Sequence, residues 1–141
     1  MKIFLDTNIV LDFLDDKRFE NKKAIKLING AIINKDQLVI SEDILTTIYY
    51  IAKKTVSRKD ILIFFEMITF DFLIVGFGKN VIKKSIKLCQ KNDKLDFEDV
   101  LQSVCAGSNN CDIIITNDKK FPVIKVPVKT TKDFLEEYGK E

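Results

Sequence analysis

The chain has 141 residues, 46% of them hydrophobic and 31% charged, a composition typical of one globular domain. Its 23 Lys and Arg and 21 Asp and Glu residues give a net charge of +2, which is too small to predict nucleic-acid binding by itself. The sequence contains no histidine, which excludes Ser-His and Cys-His mechanisms and every metal site with a histidine ligand. Acid–base chemistry is therefore left to carboxylates, Lys, Tyr, Cys or a metal-bound water.

Short apolar runs alternate with longer amphipathic segments along the chain. Runs typical of buried strands occupy residues 3–5, 38–40, 72–75, 113–115 and, more weakly, 123–126. Helical spacing predicts helices over residues 22–34, 42–54, 58–70, 79–91, 97–108 and 131–138. We expect Ser41, Ser57 and Asp96 to cap the helices that follow them. Strands that alternate with helices favour a single α/β domain over residues 1–141, with a mostly parallel sheet of about five strands.

The first segment and the cysteines both bear on the cellular compartment. Asp6 follows only three apolar residues, so we expect neither a signal peptide nor a membrane span at the N-terminus. The three cysteines are odd in number and lack C-x-x-C spacing, which favours small buried hydrophobic side chains over a redox or metal role. Both features predict a protein of the reducing cytoplasm, without a membrane partner.

Polar side chains follow two of the predicted strands at the point where each strand ends. Asp6-Thr7-Asn8 comes directly after the first strand, and Thr116-Asn117-Asp118 comes after the fourth. A third acidic group, Asp96-Phe97-Glu98-Asp99, opens the helix that leads into the fourth strand. Because ligands of open parallel sheets bind beyond the carboxyl ends of the strands, we expect Asp6, Asp99 and Asp118 to converge there.

Converging carboxylates repel one another, and a hard divalent cation removes that repulsion. Sites built from oxygen ligands and several waters suit Mg²⁺ or Mn²⁺, which activate water or bind the oxygens of a phosphodiester. Simpler interpretations stay open for each residue on its own. Asp6 and Asp118 are also typical turn or cap residues, and Asp96 with Asp99 fits a capping box. Glu42 and Asp43 suit the first turn of a helix.

Three segments in this order and spacing resemble the PIN-domain family, and most closely its single-domain VapC-type ribonuclease toxins. They are IFLDTNIVLD at residues 3–12, LDFEDVLQ at residues 95–102 and CDIIITNDKKF at residues 111–121. The resemblance extends from Met1 to about Leu135. It implies a three-layer α/β/α fold and an endoribonuclease that depends on Mg²⁺ or Mn²⁺.

The resemblance also implies roles for individual residues. Asp6, Asp99 and Asp118 match the acids that bind the metal and carry catalysis. The polar residues beside them match positions that orient ligands or water, and these are Thr7, Asn8, Asp96, Thr116 and Asn117. An RNA substrate, a cognate antitoxin protein and a homodimer are implied in the same way, and Lys119 and Lys120 are candidates for phosphate contacts.

The chain departs from the family pattern at one position. The family often carries a glutamate on the helix after the second strand, and Thr47 stands at that position in our register. Asp43 lies one helical turn earlier on the same face and is the candidate substitute acid. The chain is therefore expected to hold a second metal less well than the first.

Two alternatives to the nuclease remain at this point. The first is a catalytically weak PIN-fold module that binds a partner, which Thr47 favours. The second is a haloacid-dehalogenase-like phosphatase, whose nucleophile loop resembles the residues after the first strand. Such phosphatases require a second aspartate two positions after Asp6, where this chain has Asn8.

Overall fold

The computed structural model describes residues 1–138, which form five strands and seven helices. The strands are β1 Lys2–Leu5, β2 Gln37–Ser41, β3 Phe72–Val75, β4 Ile113–Ile115 and β5 Val128–Lys129. The helices are α1 Thr7–Leu14, α2 Asn21–Ile33, α3 Ile44–Ala52, α4 Arg58–Asp71, α5 Gly78–Lys91, α6 Phe97–Ser108 and α7 Thr131–Tyr138.

The strands form one parallel sheet in the order β3-β2-β1-β4-β5, with helices on both faces. Successive side chains of a strand point to opposite faces, and β1 shows this directly. Ile3 and Leu5 pack into a core with α1, α2, α3, α4 and α7, whereas Phe4 packs into a second core with α5 and α6. The predicted three-layer α/β/α fold and its parallel sheet are confirmed.

The chain reverses its direction across the sheet between β1 and β4. From β1 it proceeds outward through β2 to β3 on one side, and through β4 to β5 on the other. Leu5 pairs with Ile115, so the residues that follow, Asp6 and Thr116, leave the sheet side by side. A reversal of this kind opens a crevice beyond the carboxyl ends of the strands, which is where ligands of such sheets bind.

Helix α1 was not predicted, although Asp6 was considered as a cap. Asp6 has extended backbone angles, and its side chain accepts a hydrogen bond from the Thr7 N–H, so it caps α1 directly after β1. Ile9, Val10 and Leu11 of this short helix are all buried.

The predicted capping role of Ser41 is wrong. Ser41 is the last residue of β2, and α3 begins at Ile44 after Asp43. The Ser41 hydroxyl is buried and donates to Gln102 Oε1 at 3.1 Å, so it bonds to α6 and not to the start of α3. Ser57 and Asp96 do cap their helices, through bonds from the N–H groups of Asp60 and Asp99.

The fifth strand lies at Val128–Lys129 and not at residues 123–126. The carbonyls of Pro127 and Lys129 accept bonds from the N–H groups of Ile114 and Thr116, at 2.9 and 3.0 Å. Val126 is buried in the second core, which explains the apolar pattern of the earlier segment without strand pairing.

The cysteine prediction holds for the two most buried thiols. Cys105 and Cys111 are free and buried, and burial raises the pKa of each thiol to about 11. Both therefore stay protonated near neutral pH and pack as small hydrophobic side chains. Within residues 1–138, no helix combines the length and apolar character needed to cross a membrane.

Candidate active site

Asp6 is the most buried acid at the carboxyl edge of the sheet, with 8% of its surface exposed. One carboxylate oxygen, Oδ1, accepts from the Thr7 N–H at 2.8 Å, and the other, Oδ2, accepts from the Thr116 hydroxyl at 2.7 Å. Burial raises the pKa of Asp6, and the charge of Asp118 raises it further, whereas the two hydrogen bonds oppose this. The carboxylate is thus held in one orientation in an environment that disfavours its charge.

Thr116 connects Asp6 to the loop that follows β4. Its hydroxyl donates to Asp6 and accepts from the Asp118 N–H at 3.1 Å. Asp118 Oδ1 in turn accepts from the Lys120 N–H at 2.9 Å, which is the turn arrangement that its sequence context suggested. Asp118 is exposed, so it combines a turn role with a carboxylate presented to solvent at this edge.

Asp99 lies in the first turn of α6, where Asp96 is the cap. Asp96 Oδ1 accepts from the Asp99 N–H at 3.1 Å, so the backbone of Asp99 is used by the cap while its side chain is not. Burial raises the pKa of Asp99 from 3.8 to about 6, with further contributions from Asp96, Asp6 and Asp118. The predicted trio therefore lies close enough for its charges to interact.

The three acids nevertheless do not form a ready-made ligand set. Within residues 1–138, no three histidine, cysteine, aspartate or glutamate side chains are grouped as a site that would hold a metal ion. Their donor chemistry still fits Mg²⁺ or Mn²⁺, because carboxylate oxygens dominate this edge. Burial is the main cause of the raised pKa values of Asp6 and Asp99, and the charges of neighbouring carboxylates add to it.

Sequence reasoning missed Glu98 and Gln102 on α6. Burial raises the pKa of Glu98, and the charges of Asp43, Asp96 and Asp6 add to this effect. Gln102 Nε2 donates to the Ser41 hydroxyl at 2.8 Å and approaches both oxygens of Asp43 at 3.3 and 3.4 Å. Gln102 lies three residues after Asp99, and this helical spacing was the signal that would have found it. Glu98 directly precedes Asp99, and no such spacing marks it.

The other predicted residues occupy distinct positions. Asn117 directs both ends of its amide to Thr131: Oδ1 accepts from the Thr131 N–H at 3.0 Å, and Nδ2 donates to its hydroxyl at 3.2 Å. Thr7 begins α1 beside Asp6, and Asn8 is exposed next to it. Thr47 lies within α3 and is partly exposed, whereas Asp43 precedes the helix and faces Gln102.

A groove of about 530 Å³ opens beside this edge. Its lining residues come from α1, from the α1–α2 turn and from the loop after β4, and they are Asn8, Asp12, Arg18, Phe19, Glu20, Asn117 and Asp118. The Arg18 Nε–H donates to Asp12 Oδ1 at 2.7 Å, and the two groups form a partly buried ion pair. The carboxyl edge of the sheet with Asp6, Asp99 and Asp118 is called the acidic edge below. Asp118 belongs both to this acidic edge and to the groove.

The three-layer parallel fold opens a crevice where the chain reverses its direction across the sheet, and acidic residues surround this crevice. These two features together point to one family of proteins. The PIN domain family model matches residues 3–127, and the chain belongs to this family. Membership sets the phosphatase alternative aside.

The chain is 35% identical to Ribonuclease VapC1 of Aquifex aeolicus (strain VF5), over 98% of this chain and 96% of that protein. Its fold is similar to that of VapC20 from Mycobacterium tuberculosis, a sarcin-ricin loop cleaving toxin, with a TM-score of 0.71 and 10% identity over 84% of this chain and 92% of the other. A toxin–antitoxin complex from Klebsiella pneumoniae contains a chain with a TM-score of 0.70 and 23% identity, over 92% of this chain and 97% of that one.

Proposed function

We propose that this chain is a metal-dependent endoribonuclease and the toxin of a toxin–antitoxin pair. The observation that carries the proposal is the meeting of Asp6 and Asp118 at the switch point of the sheet, where the Thr116 hydroxyl bonds to both residues and the charge of Asp118 helps to raise the pKa of Asp6. The relationship to Ribonuclease VapC1, which spans nearly the whole of both chains, supports RNA as the substrate.

Asp6, Asp99 and Asp118 would hold Mg²⁺ or Mn²⁺, and Asp43 is the candidate for a fourth carboxylate. When bound, the cation supplies positive charge to the phosphodiester and acidifies the attacking water. Thr7 and Thr116 hold the Asp6 carboxylate in one orientation through their bonds to its two oxygens. Above a pH of about 6, Asp99 is ionised and able to bind a cation or to accept a proton.

The remaining polar residues act by positioning these acids and the substrate. Asp96 fixes the start of α6 and therefore the place of Asp99, and Asn117 fixes the loop that carries Asp118. Asn8 lines the groove next to Asp118, where it is placed to contact RNA. Lys119 and Lys120 follow Asp118 and are exposed, so we assign them salt-dependent contacts to phosphates of single-stranded RNA.

The proposed partners follow from the same relationships. Solved structures with this fold include VapBC complexes bound to DNA from Rickettsia felis and Salmonella typhimurium. We therefore propose a cognate antitoxin protein, a homodimer and a cytoplasmic location for this chain. Light scattering of the isolated protein and of the protein expressed with its genomic neighbour tests both assemblies.

A cleavage assay tests the enzymatic proposal directly. Protein stripped with EDTA is incubated with single-stranded RNA, before and after addition of Mn²⁺ or Mg²⁺. Asp6→Asn and Asp118→Asn are compared with Asp71→Asn, because Asp71 is exposed and precedes β3 at the opposite edge of the sheet. We expect metal-dependent cleavage that only the first two substitutions abolish. Cleavage that survives EDTA, or that all three variants retain, refutes the proposal.

A PIN-fold binding module without strong catalysis is the second candidate, and Thr47 is the observation that favours it. The same assay separates the two candidates. A binding module retains RNA on a filter and yields no cleavage at saturating Mn²⁺, whereas the nuclease yields shortened RNA.

A further inference from the structure

Phe19 is the most exposed large hydrophobic side chain within the described residues, with 96% of its surface accessible. It lies in the turn between α1 and α2 and lines the groove that also contains Asn8 and Asp118. A single exposed apolar residue is ordinary on a protein surface. This one, however, is an aromatic ring that lines the same groove as a candidate catalytic acid.

The turn that carries Phe19 is held by several hydrogen bonds. The Arg18 N–H donates to the Asp15 carbonyl and the Asn21 N–H donates to the Arg18 carbonyl, both at 3.1 Å, so two successive turns meet at Arg18 and the second contains Phe19. The buried Asn21 Nδ2 donates to the Asp12 carbonyl at 2.8 Å and ties the turn to α1. The exposure of the ring is therefore imposed by a fixed backbone.

The charges around the ring determine which part of a nucleotide it suits. Asp12, Glu20 and Asp118 line the same groove, and their negative charges repel phosphate. Arg18 is the cationic residue among those that line the groove, and its bond to Asp12 holds the guanidinium in place. Uncharged nucleobases stack on aromatic rings and on guanidinium planes, and unpaired bases of single-stranded RNA are free to do so.

The dimensions of the groove agree with this assignment. Its volume of about 530 Å³ falls within the range of about 300–1,000 Å³ that is typical of small-ligand sites. Asp118 lies at its wall, so a base in the groove brings its own phosphodiester towards the acidic edge and keeps the negative phosphate where a cation would be bound.

We propose that Phe19 is a stacking platform for one unpaired nucleobase next to the scissile phosphate, with Arg18 as its cationic neighbour. The proposal rests on the proposed ribonuclease function. It makes Phe19 a substrate-binding residue that selects single-stranded over paired RNA, because a base in a duplex is unable to leave its stack without a cost.

A fluorescence experiment reports the contact directly, because the chain contains no tryptophan. Phe19→Trp introduces a single tryptophan at the platform, and Asp99→Asn in the same chain prevents cleavage. The matched control is Phe70→Trp in the same background, since Phe70 is 85% exposed and lies at the end of α4. Stacking by a short single-stranded RNA quenches the tryptophan at position 19 and leaves the one at position 70 unchanged. An equally long RNA duplex leaves both unchanged.

Substitution in the active chain tests the consequence for the substrate. We expect Phe19→Ala to lower RNA affinity and to raise KM by about 5- to 150-fold, the range for loss of one stacked base. Phe19→Tyr restores the affinity because it restores the ring, and Phe19→Leu does not. The melting temperature is expected to stay unchanged because the side chain has little packing to lose. Phe70→Ala is the control for removal of an exposed ring.

The outcomes separate this inference from the proposed function. Wild-type cleavage together with unchanged cleavage and binding by Phe19→Ala overturns the stacking role alone. Binding of RNA without quenching at position 19 overturns it as well, and quenching by an antitoxin but not by RNA reassigns the ring to a protein contact. A wild-type protein that neither binds nor cuts RNA refutes both proposals.

Discussion

Replacement of Asp99 by asparagine separates the cost of charge at the acidic edge from any structural role of the side chain. The substitution keeps the size of the residue and leaves the cap intact, because Asp96 bonds to the backbone of residue 99. It removes one negative charge beside Asp96, Asp6 and Asp118. We therefore expect Asp99→Asn to stabilise the metal-free protein while it abolishes metal-dependent cleavage.

The size of the effect follows from the raised pKa. The pKa of Asp99 rises from 3.8 to about 6 on folding, and each pKa unit corresponds to about 1.4 kcal/mol. Without screening by solvent, ionisation of Asp99 would lower the free energy of unfolding by about 3 kcal/mol. Because this carboxylate is partly exposed, we expect a loss of about 1 kcal/mol, which the variant avoids. For a domain of this size, that raises the melting temperature of the variant by roughly 4 °C.

The stability gained by Asp99→Asn should depend on pH. A carboxyl whose pKa is raised in the folded state binds more protons folded than unfolded, so its contribution to stability falls as the pH rises from about 4 to about 6. The advantage of Asp99→Asn should be complete above that range and should shrink towards zero as the pH falls through it.

Thermal unfolding of both proteins in EDTA, at pH 4 and at pH 7.5, measures this difference. Ser57→Ala is the control, because Ser57 caps α4 and carries no charge, and loss of a cap lowers stability at both pH values by about 0.5–2 kcal/mol. A variant that melts below the wild type at pH 7.5 would refute the reasoning, as would one that melts lower and still cuts RNA.

Three further predictions concern the same edge. Saturating Mn²⁺ should stabilise the wild type by mass action, by about 2.7 kcal/mol at 100 times Kd, and so raise its melting temperature. The gain should be smaller at pH 5, where Asp99 holds a proton; an unmoved melting curve with no heat of binding contradicts the metal site. Thr116→Val should destabilise the protein by about 1–3 kcal/mol. It should also move the acid limb of the pH–rate profile to higher pH, because Asp6 loses the bond that lowers its pKa; an unchanged profile contradicts this. Thr47→Glu should tighten Mn²⁺ binding in calorimetry relative to the exposed neighbour variant Thr46→Glu; equal binding by the two variants would indicate that the site does not reach position 47.

The sheet was predictable because its central strands are apolar at every position. Ile113–Ile115 is buried at each residue, as expected for a strand that is covered on both faces. The polar residues after β1 and β4 were equally visible, since hydrophilic side chains interrupt the apolar runs where the strands end. Parallel pairing then placed Asp6 beside Thr116 without any knowledge of side-chain contacts.

The parts that were missed depend on long-range contacts. Ser41 resembles a cap in the sequence, and only the position of α6 shows that its hydroxyl is bonded to Gln102. Glu98 adjoins Asp99 in the sequence, but its raised pKa depends on Asp43, which is distant along the chain. Phe19 shows no pattern at all, because its exposure follows from the turn that encloses it.

The pairing of Asn117 with Thr131 has a consequence for how the protein is made. The loop that carries Asp118 is tied through Asn117 to the first residue of α7, a helix synthesised after every other element that builds the acidic edge. While a nascent chain still lacks α7, both ends of the Asn117 amide are without these bonds. The loop acquires its full support only when the helix has emerged and packed against α2. Order at Asp118 therefore depends on a helix that is synthesised after the loop itself.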